Sequence, residues 1–325
     1  MNVIANFGII ILTSIIIYFF GNIFAESSSK IGDRFRLSKS VKGATFDAVA
    51  SSLPELFVVL YAVIFFRRFE MGIGTIAGSV LFNLLVIPGI CIFISPVVLK
   101  ISKEVITRDA LFYVISVAIL LGLIFFLKFW GLIVASILLV TYLLYVLIIV
   151  GDTKIRQKKQ PCIDKPQQIK LFKQVSITVL TMVIVGVASY FLVSSSLNVS
   201  NILGIPAIIV ALTITAAATS VPDAVISVVN ARKGSWDDAI SNVFGSNIFD
   251  ILVGLGLPLL IYSFCKGPME IVFANLEIIA GLLASSVIVL FIFSKAHKFA
   301  ASAGPILLGM YSLFVGYTIL LSLKT

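Results

Sequence analysis

The chain has 325 residues, of which 60% are hydrophobic and 12% charged, and its formal net charge is +9. A soluble domain carries about twice that share of charge, and a disordered chain lacks this much apolar content, so both classes are excluded. Apolar stretches of about 20 residues recur along the whole length, each long enough to cross a bilayer, and they predict an all-α polytopic membrane protein.

Ten spans are predicted, in chain order 4–24, 42–66, 72–99, 109–127, 130–150, 174–194, 202–230, 238–262, 269–294 and 302–322. No basic segment precedes the first span and no small-x-small cleavage site follows it, so it reads as a retained helix rather than a signal peptide. The longest polar interval, 151–173, is a basic linker between a first half (1–150) and a second half (174–325) of five spans each. With the N-terminus outside, 19 of the 24 lysines and arginines fall in inside loops, seven of them in the linker. The positive-inside rule therefore puts both termini outside and the linker in the cytoplasm of a cell membrane. The positive charge is topology plus attraction to anionic lipid heads, and no nucleic-acid partner is implied.

Several features carry little chemistry. Cys91, Cys162 and Cys265 are scattered with no CxxC, and His297 is the only histidine, so neither a disulfide framework nor a transition-metal site is suggested. No cofactor and no obligate protein partner is expected. Arg67, Arg68 and Glu70 read as a polar turn, and Glu277 as an acid near an interface. The linker is too short for a regulatory domain. "NVS" at 198–200 is a sequon on the expected outside, whose use depends on the host.

Two segments stand out. "ATFDAVASSLPEL" followed by "GTIAGSVLFNLL" lies in the second and third spans; "LTITAAATSVPDA" followed by "SNVFGSNIFDIL" lies in the seventh and eighth. The shared pattern is A-x-x-[ST]-S-x-P-[ED], then G-S-x-x-F-[ND]. Pro54 precedes Gly78 by 24 residues, and Pro222 precedes Gly245 by 23. Five spans per half is an odd number, so the second half enters the membrane inverted. Inverted repeats with interrupted helices mark transporters whose site lies near the midplane.

Each proline removes a backbone donor and breaks the helix, and the carbonyls so freed need partners in lipid. A bound cation is one such partner, and the hydroxyls of Ser51, Ser52, Thr219 and Ser220 lie in the same turn. An acid at the centre of a span costs about 3 kcal/mol on insertion scales. No lysine or arginine lies within the interior of any predicted span to pair with Glu55 or Asp223. The repeat places those two acids on two-fold-related helices, so something positive, a metal cation or protons, must share the site. Asn83 and Asp250 are equivalent, each four residues after a serine (Ser79, Ser246), on one helix face with it. An all-oxygen set of this kind suits calcium, which takes six to eight oxygens in flexible geometry, and sodium can reuse the same ligands. Gly78 and Gly245 suit close helix packing.

With these residues in place the chain resembles the cation/calcium exchanger superfamily, and most closely its potassium-dependent sodium/calcium exchanger branch. "GATFDAVASSLPELF", "GIGTIAGSVLFN", "TSVPDAVISVVNARKG" and "VFGSNIFDILVGLGLP" carry the resemblance. It implies alternating-access exchange of Ca2+ for Na+ by ten helices in two inverted halves, with K+ or H+ as further candidate ions. It also implies Glu55 and Asp223 as shared calcium and sodium ligands. Ser51, Ser52, Ser79, Thr219, Ser220 and Ser246 supply hydroxyls, Ala48 and Ala216 backbone carbonyls, and Asn83 and Asp250 complete the cluster. An Asp at the place of Asp250 is associated with potassium in that branch.

The chain also departs from the pattern. Ala50 and Ala218 replace the usual glycines, Val80 replaces the asparagine of GSN, and Asp47 is an additional acid one and two turns from Ser51 and Glu55. A hydrated interfacial acid and a second ion ligand are both open readings of Asp47. A sodium/calcium antiporter and a proton/calcium antiporter are the leading functional readings. A passive cation channel and an intramembrane aspartyl protease are weaker ones, since "GSNIFD" is not the GxGD-type motif of such proteases.

Overall fold

The computed structural model describes residues 2–33, 43–95, 102, 105–159, 171–271, 276–295 and 303–322. Nearly all of them are helical. The helices are α1 (Val3–Asp33), α2 (Ala48–Ser51), α3 (Leu53–Ile64), α4 (Phe69–Leu81), α5 (Ile87–Ile94), α6 (Ala110–Phe126) and α7 (Leu132–Lys159) in the first half. In the second half they are α8 (Leu171–Leu203), α9 (Ala207–Val210), α10 (Ala216–Thr219), α11 (Val221–Arg232), α12 (Trp236–Phe249), α13 (Leu255–Lys266), α14 (Leu276–Lys295) and α15 (Ala303–Ser322). Large apolar side chains such as Ile11, Phe19, Leu147 and Phe191 stand exposed on α1, α7 and α8, as expected of surfaces solvated by lipid rather than water.

The two proline motifs break their spans as expected. The chain bends by 48° between α2 and α3, and by 44° between α10 and α11. Ser52 (ψ 5°) and Ser220 (ψ 0°) sit at the bends. Pro54 and Pro222 then lie in the first turn of the following helix, where a missing N–H costs nothing because no partner exists for it. The prolines start new helices rather than deform old ones.

The repeat reaches further than the motifs. Single π-helical turns, each adding a residue to its helix, precede both broken elements, at Gly43–Asp47 and Ala211–Thr215. Two more join α4 to α5 at Phe82–Val86 and α12 to α13 at Asp250–Gly254. A π turn of this kind re-aims the side chains that follow it and is frequent at functional sites. A further one, Val105–Asp109, leads into α6.

Among the described residues seven helices are long and apolar enough to cross a membrane, and the two bent pairs raise the number to nine. The described residues thus account for nine of the expected ten, and the ninth predicted span, 269–294, is the one left over. Its first residues, Met269–Glu270, form a short strand β2 that pairs antiparallel with β1 (Phe129–Trp130); α14 follows over Leu276–Lys295, with Ile279–Ile288 counted as a shorter apolar helix among the described residues. Two helices outrun their predicted ends: α7 continues to Lys159, into the expected linker, and α8 spans Leu171–Leu203. The sequon at 198–200 is thus helical, and Asn198 donates to Asn6 Oδ1 at 3.3 Å. Residues 160–170 of the linker, Cys162, His297 and the side chain of Glu277 lie outside the described set.

Packing centres on α4 and α12, whose buried Ile73, Ile76, Val80, Val243 and Ile248 belong to one apolar cluster. The long helices α1 and α8 run alongside each other. Asn6 meets Asn198 at one end of this pair, and Ser27 meets Gln174 (2.9 Å) at the other. Gly78 on α4 touches the second half so closely that a Cβ there would sit 2.1 Å from the Leu212 carbonyl oxygen.

Candidate cation-binding site

The bends bring the motifs of both halves to one point. Glu55 stands in the first turn of α3, Asp223 in the first turn of α11, and Asp250 at the start of the π turn after α12. All three are fully buried, and one oxygen of each lies within 4.8 Å of the others. Among the described residues no lysine or arginine pairs with any of them. The acids at the two α3 and α11 N-termini face the positive ends of those helices, which offsets part of their charge.

Hydroxyls and amides surround the acids. Ser220 Oγ lies 2.8 Å from Ser79 Oγ and 3.2 Å from Glu55 Oε1. Ser79 Oγ in turn is 3.0 Å from Asp250 Oδ2 and 3.4 Å from Glu55 Oε1. Each hydroxyl has one proton and at least two acceptors in reach, so this corner has more oxygen than hydrogen. On the other side, Ser246 donates to Asp223 Oδ1 at 2.7 Å and Asn83 Nδ2 donates to Asp223 Oδ2 at 3.0 Å. Ser51 Oγ touches Ser246 Oγ at 3.4 Å.

Both oxygens of Asp223 are therefore satisfied, while Glu55 Oε2, Asp250 Oδ1, Asn83 Oδ1 and Ser52 Oγ find no hydrogen-bond partner among the described residues. Buried acceptors are almost always satisfied, and a buried unpaired charge costs several kcal/mol or more in effect. A cluster of unsatisfied oxygens among three carboxylates could hold a hard cation, of the class bound by oxygen alone.

Two of the expected hydroxyls are shared between this cage and their own helices. Ser51 and Thr219 bond back to the carbonyls of Asp47 and Ala48 and of Thr215 and Ala216, and they also lie within reach of Asp223 and Glu55, respectively. Ala48 O and Ala216 O each also accept a backbone N–H, from Ser52 and Ser220 at 3.0 Å. Each carbonyl thus has one full donor and shares a single hydroxyl proton with Asp47 O or Thr215 O. Gly78 serves close contact, as expected.

Sequence reasoning passed over Asn247. Its Oδ1 accepts from Asn83 Nδ2 at 3.0 Å and its Nδ2 reaches Val80 O at 3.4 Å, so it fixes the orientation of the Asn83 amide. The signal was present in the mismatch between GSV and GSN. Also missed was a polar node at the start of α6. There the fully buried Asp109 takes Arg108 Nε at 2.6 Å and Ser241 Oγ at 3.0 Å.

The chain is similar to known proteins. A rat sodium/potassium/calcium exchanger 3 is 38% identical over 41% of this chain, which is 21% of that protein. Against a human sodium/potassium/calcium exchanger 5 the chain is 29% identical, with 88% of this chain and 77% of that protein aligned. The chain thus spans most of one relative and about a fifth of the other. Among solved structures, one of the sodium-calcium exchanger NCX_Mj soaked with 2.5 mM Na+ and 10 mM Sr2+ superposes with a TM-score of 0.68 at 23% identity. That match covers 97% of this chain and 99% of the other, and shows a shared fold. The model of the family described as sodium/calcium exchanger protein matches residues 5–151 and 173–320, nearly the whole of both halves, and the chain belongs to that family.

Proposed function

We propose that this chain is a secondary-active antiporter that exchanges Ca2+ for Na+ by alternating access at the Glu55, Asp223 and Asp250 site, near the membrane midplane. The observation that carries the reading is the set of three buried carboxylates within 4.8 Å, with outward oxygens unsatisfied and no basic partner among the described residues. A divalent cation removes most of the mutual repulsion, and several sodium ions do the same in steps. A cavity of about 920 Å³ opens on the side opposite the linker, lined by Arg68, Glu70 and Asn198 and reaching Ile73 and Ile208. Ile73 lies six residues before Ser79 on α4, about 9 Å along the helix axis, so the cavity serves as an access vestibule on that side. The closing of one side and opening of the other is the general logic of inverted-repeat transporters.

The test is calcium uptake into proteoliposomes driven by an outward sodium gradient at fixed pH. Uptake that follows sodium supports the reading, whereas uptake that ignores sodium and follows pH replaces it with proton/calcium exchange. Conductance without countertransport replaces it with a channel. The relatives that match are named sodium/potassium/calcium exchangers, so the same assay with and without potassium decides whether K+ is a third ion.

A further inference from the structure

One side of the carboxylate cluster carries two polar groups that the exchange site leaves unused. The π turn Gly43–Asp47 and α2 pack against α12, and Ser51 Oγ meets Ser246 Oγ at 3.4 Å. Both strands of chain run from the linker side toward the site. One turn earlier on each lie Asp47, whose carbonyl accepts from Ser51 Oγ at 2.8 Å, and Asn242, four residues before Ser246. The two therefore sit at the same level, one turn toward the linker side.

Asn242 is fully buried. Its Nδ2 donates to Ser227 Oγ at 3.1 Å and reaches Asp223 O at 3.4 Å, both on α11. Its Oδ1, on the other side of the amide, has no hydrogen-bond partner among the described residues. A buried amide oxygen left in this state calls for a ligand. Asp47 is half-buried and supplies a carboxylate.

The repeat provides an internal control. In its register Asp47 corresponds to Thr215, and Asn242 to Thr75. Both threonines are satisfied, Thr215 by Ser196 Oγ at 3.1 Å and Thr75 by Met71 O at 2.9 Å. The acid and amide thus have no counterpart on the far side of the site. Their chemistry is one carboxylate, one amide oxygen and the two serine hydroxyls. That set neutralises a single positive charge and falls short of the six to eight oxygens calcium takes.

From this we propose that Asp47 and Asn242 form a one-sided binding step for a monovalent alkali cation, between the linker side and the carboxylate site. The proposal rests on the exchange reading above. It assigns Asp47 the ion-ligand role and makes sodium affinity unequal on the two faces of the membrane.

The experiment uses the full chain in proteoliposomes, in a Cys162→Ser background, with orientation fixed by an impermeant maleimide on Cys265, which is exposed at the end of α13 away from the linker. Radioactive calcium flux is measured against sodium concentration on each face. Asp47→Asn and Asn242→Leu each raise the half-maximal sodium concentration on the linker face by about fivefold or more, and leave it within about twofold on the other face. Half-saturation by calcium moves by less than about twofold on either face. Equal shifts on both faces, a shift in calcium alone, no shift, or no sodium-driven flux in the parent protein overturns the proposal. Melting midpoints in detergent are recorded for both variants, and Asp47→Asn, at a half-buried position, decides the matter if Asn242→Leu does not fold. Glu55→Gln is run alongside: exchange retained there sinks the carboxylate-site reading, a result separable from any difference between the two faces.

Discussion

Asn83 on one half donates its amide N–H to Asp223 Oδ2 on the other at 3.0 Å. In the repeat Asn83 corresponds to Asp250, so one half offers a donor where the other offers a charge. The contact orients Asp223 and leaves Asn83 Oδ1 turned out without a partner. Asp223 is held at both oxygens, whereas Glu55 and Asp250 each keep one oxygen open. The three acids are therefore not interchangeable: one is braced and two reach.

Removing either motif acid is expected to end transport. Glu55→Gln and Asp223→Asn each keep shape and lose a charge-assisted interaction of about 3 kcal/mol, or about a hundredfold in affinity. Sodium-driven calcium flux should fall to background in both while the protein still elutes as a folded species. Full activity in both variants would remove the site.

Gly78→Ala is expected to destabilise the protein. The new Cβ would sit 2.1 Å from the Leu212 carbonyl oxygen and 2.6 Å from Ala216 Cβ, so α4 must move away from the second half. Overpacking of this kind costs about 1–3 kcal/mol, seen as a lower melting midpoint in detergent. Because Ser79 follows directly, calcium affinity falls with it.

The Arg108–Asp109 pair is best tested as a cycle. Asp109 is fully buried and only 10% of the Arg108 side chain is exposed. Asp109→Ala leaves the guanidinium without its carboxylate, a change that costs about 3–5 kcal/mol for buried pairs. Arg108→Leu combined with Asp109→Leu should recover most of that loss, measured as thermal stability. A double variant as unstable as Asp109→Ala would assign the effect to Ser241 and Tyr145, which also bond to Asp109.

Much of this was legible in the sequence because the bilayer leaves few options for proline and acid inside an apolar run. The "SLPEL" and "SVPDA" stretches gave both breaks and two of the three clustered acids; equivalent spacing gave Asn83 and Asp250. What escaped depends on distances across helices. Asn247 looks like any helical asparagine until the Asn83 amide lies 3.0 Å away. Asn242 gave no signal, since its unmet oxygen is a property of packing. Ala48 and Ala216 were expected to offer carbonyls; that the neighbouring hydroxyls, which back-bond readily within helices, share a proton with them was not legible in the sequence. The start of the ninth predicted span was read too early: Met269 and Glu270 pair as a strand with Phe129 and Trp130, and the helix begins at Leu276.

The unequal bracing of Asp223 and Glu55 bears on what a single chain permits that two separate copies would not. A pair of identical halves, inserted in opposite senses, would be obliged to surround both acids alike, and any change improving one would be copied onto the other. Joining the halves into one chain lifts that constraint. Each acid can then be revised without its twin: Asn83 and Ser246 hold Asp223 still, while Glu55 keeps an oxygen in reserve. Two halves in one chain can thus surround matching acids differently.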